Sequence, residues 1–200
     1  MIADVLWPSL YTTIMGAWFS HSGDVEKVPS GSLDFAARNG KVYCNGVQFS
    51  FKGINWFGSE AYNGPPNGLD AHDIGWYLDF MQRHKFNAVR LLFNHEHVLK
   101  NDIVNTPRQE RLLFQVRYLQ MFQVLAKEAA KRGIIVLLAC HRVKHDAWPG
   151  SGLWYDDKLG MSEARVRESW DAVAKALCGQ WNVFAVVRAL GRLRLRIDSK

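Results

Sequence analysis

Three short stretches of this sequence gather the side chains that handle polar, ring-shaped ligands. Asn55, Trp56, Glu60 and Tyr62 stand within eight residues, and Asn94, His95, Glu96 and His97 are consecutive. His141, Arg142, His145, Asp146, Trp148, Trp154 and Tyr155 fall within fifteen. Arg90 is set inside the apolar run NAVRLLF, just ahead of the second group. Aromatic rings offer flat apolar faces, while Asn, His, Arg and carboxylates offer directional hydrogen bonds. A sugar ring, with its C–H face and rim of hydroxyls, suits that mixture. Eight Trp among 200 residues make the aromatic supply unusual.

Each of these residues also has a plainer reading. An Arg inside an apolar strand is commonly one member of a buried ion pair. The run His95-Glu96-His97 resembles part of a metal site, yet alternate strand positions point to opposite faces, which favours solvated loop residues and no metal. Trp170 and Phe184 sit at core spacing and are assigned to packing. Glu60 and Glu96 fall on neighbouring loops, but nothing in the sequence sets their pKa values apart, as a paired acid and base would need.

The elements that must position these groups follow from periodicity. Asn45-Gly46 stands between two runs rich in β-formers, a strong signal for a two-residue hairpin, and FKGIN then reads as a buried strand. From Asp70 to His84 the residues Ile74, Tyr77, Leu78 and Met81 mark one face of a first helix. NAVRLLF, residues 87–93, is a strand covered on both faces. Thr106, Pro107 and Gln109 form a capping-box pattern opening a long second helix, which Gly133 ends. IIVLLAC, residues 134–140, is the clearest buried strand. Ser162 caps a third helix with its face at Val166, Trp170, Val173, Ala174 and Leu177 and its stop at Gly179. NVFAVV, residues 182–187, makes a further strand.

Strand and helix alternate throughout, as in parallel sheets. Helix-to-strand links take only a few residues, whereas strand-to-helix links span 56–69, 94–105 and 141–161. Those long links emerge at the C-terminal ends of parallel strands, where ligands bind in such folds, and they hold the three groups named above.

The bulk properties narrow the function classes. Two hundred residues make one domain with a substantial core, and 48% hydrophobic with 22% charged residues is a soluble globular composition. The net charge of +6 resides mostly in the last fifteen residues, which hold Arg188, Arg192, Arg194, Arg196 and Lys200 against Asp198. The body is nearly neutral, so neither a nucleic-acid nor a membrane partner is expected. Cys44, Cys140 and Cys178 are odd in number with no CxxC pair, and read as buried free thiols. Residues 5–23 carry no Lys, Arg, Asp or Glu, but Pro8, Ser9, Thr12 and Thr13 interrupt them and no basic residue precedes them, so a signal peptide is not clearly recognisable.

The segments FKGINWFGSE, FNAVRLLF, IIVLLACHR, GLWYDD and WNVFAV, in that order, resemble the first four strands of glycoside hydrolase family 5, the cellulase-like retaining enzymes. The resemblance covers residues 35–186, about three quarters of this chain. It implies an α/β fold of partial (β/α)8 TIM-barrel type, with four strands, three helices and an N-terminal β-hairpin. It divides the chain into a poorly structured segment 1–34, a barrel segment 35–187 and a basic tail 188–200. Arg90 is then the strand-two arginine that supports the nucleophile, and His141 the strand-three histidine lining the sugar site. Asn55, Trp56, Trp154 and Tyr155 are the implied substrate contacts, with Trp56 and Trp154 as platforms. The implied substrate is a β-glucan or related polysaccharide, the location extracellular, and no cofactor is called for.

The same resemblance carries a departure. The family continues its fourth strand into Asn-Glu-Pro, where Glu is the acid/base. Here the chain runs Val187-Arg188-Ala189-Leu190-Gly191, which places Leu190 and Gly191 at the Asn and Glu positions. The nucleophile, a second Glu on strand seven, has no counterpart among these residues. The expectation is a truncated, inactive relative of retaining endo-β-1,4-glucanases, with a non-catalytic carbohydrate-binding protein as the alternative. Open strand edges add an expectation of self-association. The tail GRLRLRI alternates basic and apolar residues; it reads as a fifth strand, an anionic-surface anchor or a segment from the wrong frame, the last being preferred because it does not continue the barrel.

Overall fold

A computed structural model describes residues 33–61, 64–108, 110–147 and 154–186. Most of the segment 1–34, the tail 188–200, Tyr62 and Trp148 lie outside the described residues.

The chain opens with an antiparallel meander of β1 (Phe35–Arg38), β2 (Lys41–Cys44) and β3 (Val47–Phe49). Its two turns are Asn39-Gly40 and Asn45-Gly46, and all four residues have positive φ, between 50° and 84°. Two-residue hairpins twist correctly only with both central residues left-handed, which Asn and Gly tolerate best. The hairpin expected at Asn45-Gly46 is present, and Asn39-Gly40 makes a second.

The second sheet is parallel, in the order β4 (Gly53–Trp56), β5 (Ala88–Asn94), β6 (Ile135–Arg142) and β7 (Val183–Val186). In-register rows assign its two faces. Ile54, Val89, Val136 and Val183 share one row, and Trp56, Leu91 and Leu138 the next but one on the same face. These side chains join the main core. The rows between them, Gly53-Ala88-Ile135 and Asn55-Arg90-Leu137-Phe184, face the other way. There Ala88 and Ile135 are covered by Leu33, Phe35, Phe49, Trp181 and Phe184, so the meander caps the N-terminal end of this face. Phe35 meets Phe184 edge-on at 5.2 Å.

Helices α1 (Ile74–Arg83), α2 (His95–Lys100), α3 (Tyr118–Ala130) and α4 (Glu163–Leu177) complete the fold. Asp73 caps α1 by accepting from the Trp76 amide at 2.7 Å, and Ser162 caps α4 as the sequence predicts. In α4, Val166, Trp170, Val173 and Leu177 are buried at helical spacing, with Trp170 edge-on to Phe93 at 5.0 Å. The architecture is the partial (β/α)8 arrangement expected, with corrections at two places.

The first correction concerns the second long helix, which begins at Tyr118 and not at Pro107. The Thr106 hydroxyl donates to the carbonyls of Val104 and Leu113 instead of capping an amide. Glu110, 2% exposed, accepts from the Leu112 amide and from the Ile74 amide at the start of α1, at 2.9 and 2.7 Å. Gln115 is left-handed, with φ of 58°, which breaks the helical run. Gln109 lies outside the described residues; residues 106–108 and 110–117 form an irregular excursion with a short 3-10 turn at Arg111–Leu113. The second correction is α2, which the sequence reads as a solvated loop.

Candidate functional site at the C-terminal ends of the parallel strands

Asn55, Arg90 and His141 come together toward the C-terminal strand ends of the sheet face whose N-terminal end the meander caps. Asn55 and Arg90 are register partners, and the Arg90 Nη1 reaches the Asn55 Oδ1 at 3.4 Å. His141 is the extra residue where the β5–β6 register shifts between Phe93 and Asn94, and it lies close enough to Arg90 and Glu60 to feel both charges. Burial lowers the Arg90 guanidinium, with the Glu60 carboxylate acting in the opposite direction. Burial likewise lowers the His141 imidazole; Glu60 opposes the shift while Arg90 and Arg142 reinforce it. Glu60 is thus the negative charge these two groups share.

The loop after β4 holds Glu60 in place. Glu60 is 4% exposed, and its Oε2 accepts from the Gly58 amide at 2.8 Å. Gly58 has φ of +122°, and a Cβ there would meet the Asn67 amide nitrogen at 2.4 Å. The Ser59 hydroxyl donates to the Leu92 carbonyl at 2.7 Å, and the buried Tyr118 hydroxyl donates to the Ser59 carbonyl. Asn94 works in two directions: its Nδ2 donates to the Glu60 carbonyl at 3.0 Å while its Oδ1 caps α2 by accepting from the His97 amide at 2.7 Å. The end of β5 thereby fixes the neighbouring loop.

His95, Glu96 and His97 open α2 and have three different environments. His95 is 2% exposed, with Nδ1 at 2.9 Å from the Ser169 Oγ and Nε2 at 3.2 Å from the Cys140 Sγ. Desolvation lowers its imidazole from 6.5 to about 4 and raises the Cys140 thiol to about 12. This is a neutral polar chain inside the core, which corrects the solvated-loop reading. Glu96 instead clasps the loop after β6: its Oε2 faces His145 Nδ1 at 2.7 Å and its Oε1 faces Lys100 at 2.9 Å. Partial burial alone would raise the Glu96 carboxyl, but the hydrogen bonds from Lys100 and His145 and the charges of Lys100 and Lys144 bring it down to about 2. The His97 ring stacks on His145 at 5.3 Å. Glu96, His145 and Asp146 each bring a ligand atom within 4.8 Å of the others. With Lys100 and His145 already bound to Glu96, the group is an ion-pair junction between two loops.

The remaining candidates are placed elsewhere. Trp56 corrects its expected role as a platform. It is 6% exposed and belongs to the main core, where it packs on Tyr77 at 5.1 Å and donates its indole N–H to the Asn67 carbonyl at 2.8 Å. Strand alternation turns it away from Asn55. Trp154 and Tyr155 meet edge-on at 5.0 Å and lean, half-buried, on that same core. Ser59 and the double role of Asn94 escape sequence reading, although an Asn directly before a helical turn is a recognised capping signal. No described helix is long and apolar enough to cross a membrane.

No family model matches the chain. An endoglucanase of Paenibacillus polymyxa is 28% identical over 137 residues, covering 65% of this chain and 32% of that protein. The endocellulase of Pyrococcus horikoshii, solved in complex with cellotetraose, superposes with a TM-score of 0.68 at 28% identity, over 78% of this chain and 43% of its own. The catalytic domain of the major endoglucanase of Xanthomonas campestris pv. campestris gives 0.61 at 29% identity, over 68% and 39%. The chain therefore spans about a third of that curated relative and about two fifths of those solved enzymes. Over this span it resembles cellulase-like glycoside hydrolases, as its motifs indicate.

Proposed function

We propose that the face carrying Asn55, Arg90 and His141 is the sugar-binding half of a cellulase-like glycosidase site, and that these 200 residues by themselves bind a β-linked glucan without cleaving it. The supporting observation is the convergence of an exposed amide, a half-buried guanidinium and an imidazole at the C-terminal strand ends of one sheet face, beside the buried Glu60 carboxylate. Asn55 and Arg90 offer hydrogen bonds to hydroxyls, and His141 lines the same mouth. Trp154 and Tyr155 supply aromatic contact from the loop after β6, in the role the family resemblance gives them. The cellotetraose bound by the Pyrococcus horikoshii endocellulase makes a β-glucan the first ligand to try. By the same resemblance we assign the protein to the outside of the cell.

Inactivity rests on the carboxylates. Retaining hydrolysis takes two carboxyl groups about 5–5.5 Å apart, one as nucleophile and one as proton donor. A proton donor at neutral pH needs a raised pKa, whereas Glu96 is held near 2 by hydrogen bonds from Lys100 and His145 and by the charges of Lys100 and Lys144. Glu60 is buried and bound to its own loop. Neither is placed to serve.

Calorimetric titration with cello-oligosaccharides tests both parts. Saturable binding that weakens about tenfold or more in Arg90→Ala, equivalent to roughly 1.4 kcal/mol, with no reducing ends released from soluble β-glucan, is the expected result. Turnover by the purified chain, abolished in Glu60→Gln, would overturn the inactive reading. Binding unaffected by Arg90→Ala would remove the site from this face.

A further inference from the structure

His141 owes its place to an irregularity in β6. Phe93 pairs with Cys140 and Asn94 with Arg142, so β6 carries one residue more than β5 at this point, and that residue is His141. A bulge leaves its extra residue outside the ladder and re-aims a side chain, so other groups must fix the backbone there. The opening of α2 supplies them. His95 Nε2 lies 3.2 Å from the Sγ of Cys140, the residue before His141. The Glu96 amide donates at 3.2 Å to the carbonyl of Val143, two residues after it.

The side-chain contacts run in one direction. The Arg142 carbonyl can only accept, so the Cys140 S–H donates to it, at 3.2 Å. That bond ties the residue before His141 to the residue after it. The sulfur then accepts from the His95 Nε2–H, and His95 Nδ1, left with its lone pair, accepts from the Ser169 hydroxyl at 2.9 Å. Burial lowers the His95 ring to about 4 and raises the Cys140 thiol to about 12, so at neutral pH each holds the one proton this chain requires. Both far links are anchored in the core: Ser169 on α4 and His95 on α2 are buried, and Asn94 caps the helix that carries His95.

We infer that Ser169, His95 and Cys140 are positioning residues for the site: their hydrogen bonds lock the bulge in β6 and so hold His141 beside Arg90 and Glu60. His95 and Ser169 act only through Cys140. The inference rests on the glucan-binding reading for its affinity measurement, but the placement of His141 is measurable without a ligand.

The test is a nuclear magnetic resonance titration of the His141 ring in the full chain, beside calorimetry with cellotetraose and a thermal melt. Cys140→Ala cuts the chain between His95 and the Arg142 carbonyl. In that variant the His141 value should leave its lowered position and move toward 6.5. Cellotetraose affinity should fall about fivefold, the worth of one hydrogen bond. Cys140→Ser, whose hydroxyl both donates and accepts at the same place, should restore both readings. Ser169→Ala, which releases His95 from α4, should shift both in the same direction as Cys140→Ala. An unchanged His141 titration in Cys140→Ala, however far the melt falls, would make the chain a structural element only and overturn the inference, as would a Cys140→Ser protein that behaves like Cys140→Ala. If Cys140→Ala does not fold, Ser169→Ala decides by the same readings. If the unaltered chain binds no cellotetraose, the glucan reading fails and the His141 titration alone decides the inference.

Discussion

Acidifying the solution should unfold this protein through His95. The imidazole is 2% exposed, enclosed by Phe93 and Trp170 edges, and hydrogen-bonded to neutral partners at both nitrogens. With no anion beside it, desolvation takes its pKa from 6.5 to about 4. A folded-state value below the unfolded one means that the unfolded chain binds the proton first. Above pH 6.5 the group costs nothing; between pH 6.5 and 4 stability falls by up to about 1.4 kcal/mol per unit, reaching roughly 3.4 kcal/mol. Set against the 5–15 kcal/mol typical of a whole domain, that is a large fraction. Urea unfolding of the chain and of His95→Gln at pH 7, 6, 5 and 4.5 measures it. His97 and His141 are also lowered, both first by desolvation, and titrate in the two proteins alike. Their contribution cancels in the difference. His95→Gln should be the less stable protein at pH 7, with a shallower decline, so that the gap between the two narrows by about 2–3 kcal/mol by pH 4.5. Two parallel pH profiles would show that His95 is protonated or solvated in the fold and would refute the reasoning.

Glu96→Gln tests the clasp between α2 and the loop after β6. The native carboxylate, lowered to about 2, contributes stability that is complete above pH 4.5 and lost as pH falls toward 2. With one flank open to solvent through Lys100, this is worth at most about 3 kcal/mol, and the variant should lose it at pH 7 while exchanging the amides of residues 143–147 faster. Gly58→Ala drives a Cβ into the Asn67 amide and forces a left-handed φ on a side chain. A melting-temperature loss corresponding to about 1–3 kcal/mol is expected, together with weakened cello-oligosaccharide binding because Glu60 hangs from the same turn; an unchanged melt would show that the turn relaxes freely.

Much of the scaffold is legible locally because its signals are local. Asn45-Gly46 demands two positive φ values that few other dipeptides accept, and Ser162 with Gly179 brackets a helix whose apolar residues recur at the right interval. The irregular excursion ahead of α3 is not legible, because what decides it is distant in sequence. The Glu110 carboxylate accepts from the Ile74 amide 36 residues away, a partner that no local pattern around Thr106 and Pro107 announces. His95 likewise becomes a core residue only through Ser169 and Cys140, which lie 74 and 45 residues further on.

The sheet face of Asn55 and Arg90 illustrates how far strand parity alone can go. Once β4, β5 and β6 are recognised as neighbouring parallel strands, Asn55 and Trp56 must point to opposite faces, so only one of them can share a face with Arg90. The register Asn55-Arg90-Leu137 assigns that place to Asn55, while His141 joins them at the register shift near the end of β6, where strand parity alone does not reach. Trp56 then has to fill the helix-side core, where its indole N–H finds the Asn67 carbonyl and its ring finds Tyr77. A tryptophan beside a polar strand end is therefore no evidence of a sugar platform unless its parity matches the arginine it is meant to serve. On that criterion Trp56 is excluded by parity, and among the described residues of the loop after β6 the half-buried pair Trp154 and Tyr155 are the rings that the proposed glucan site would draw on.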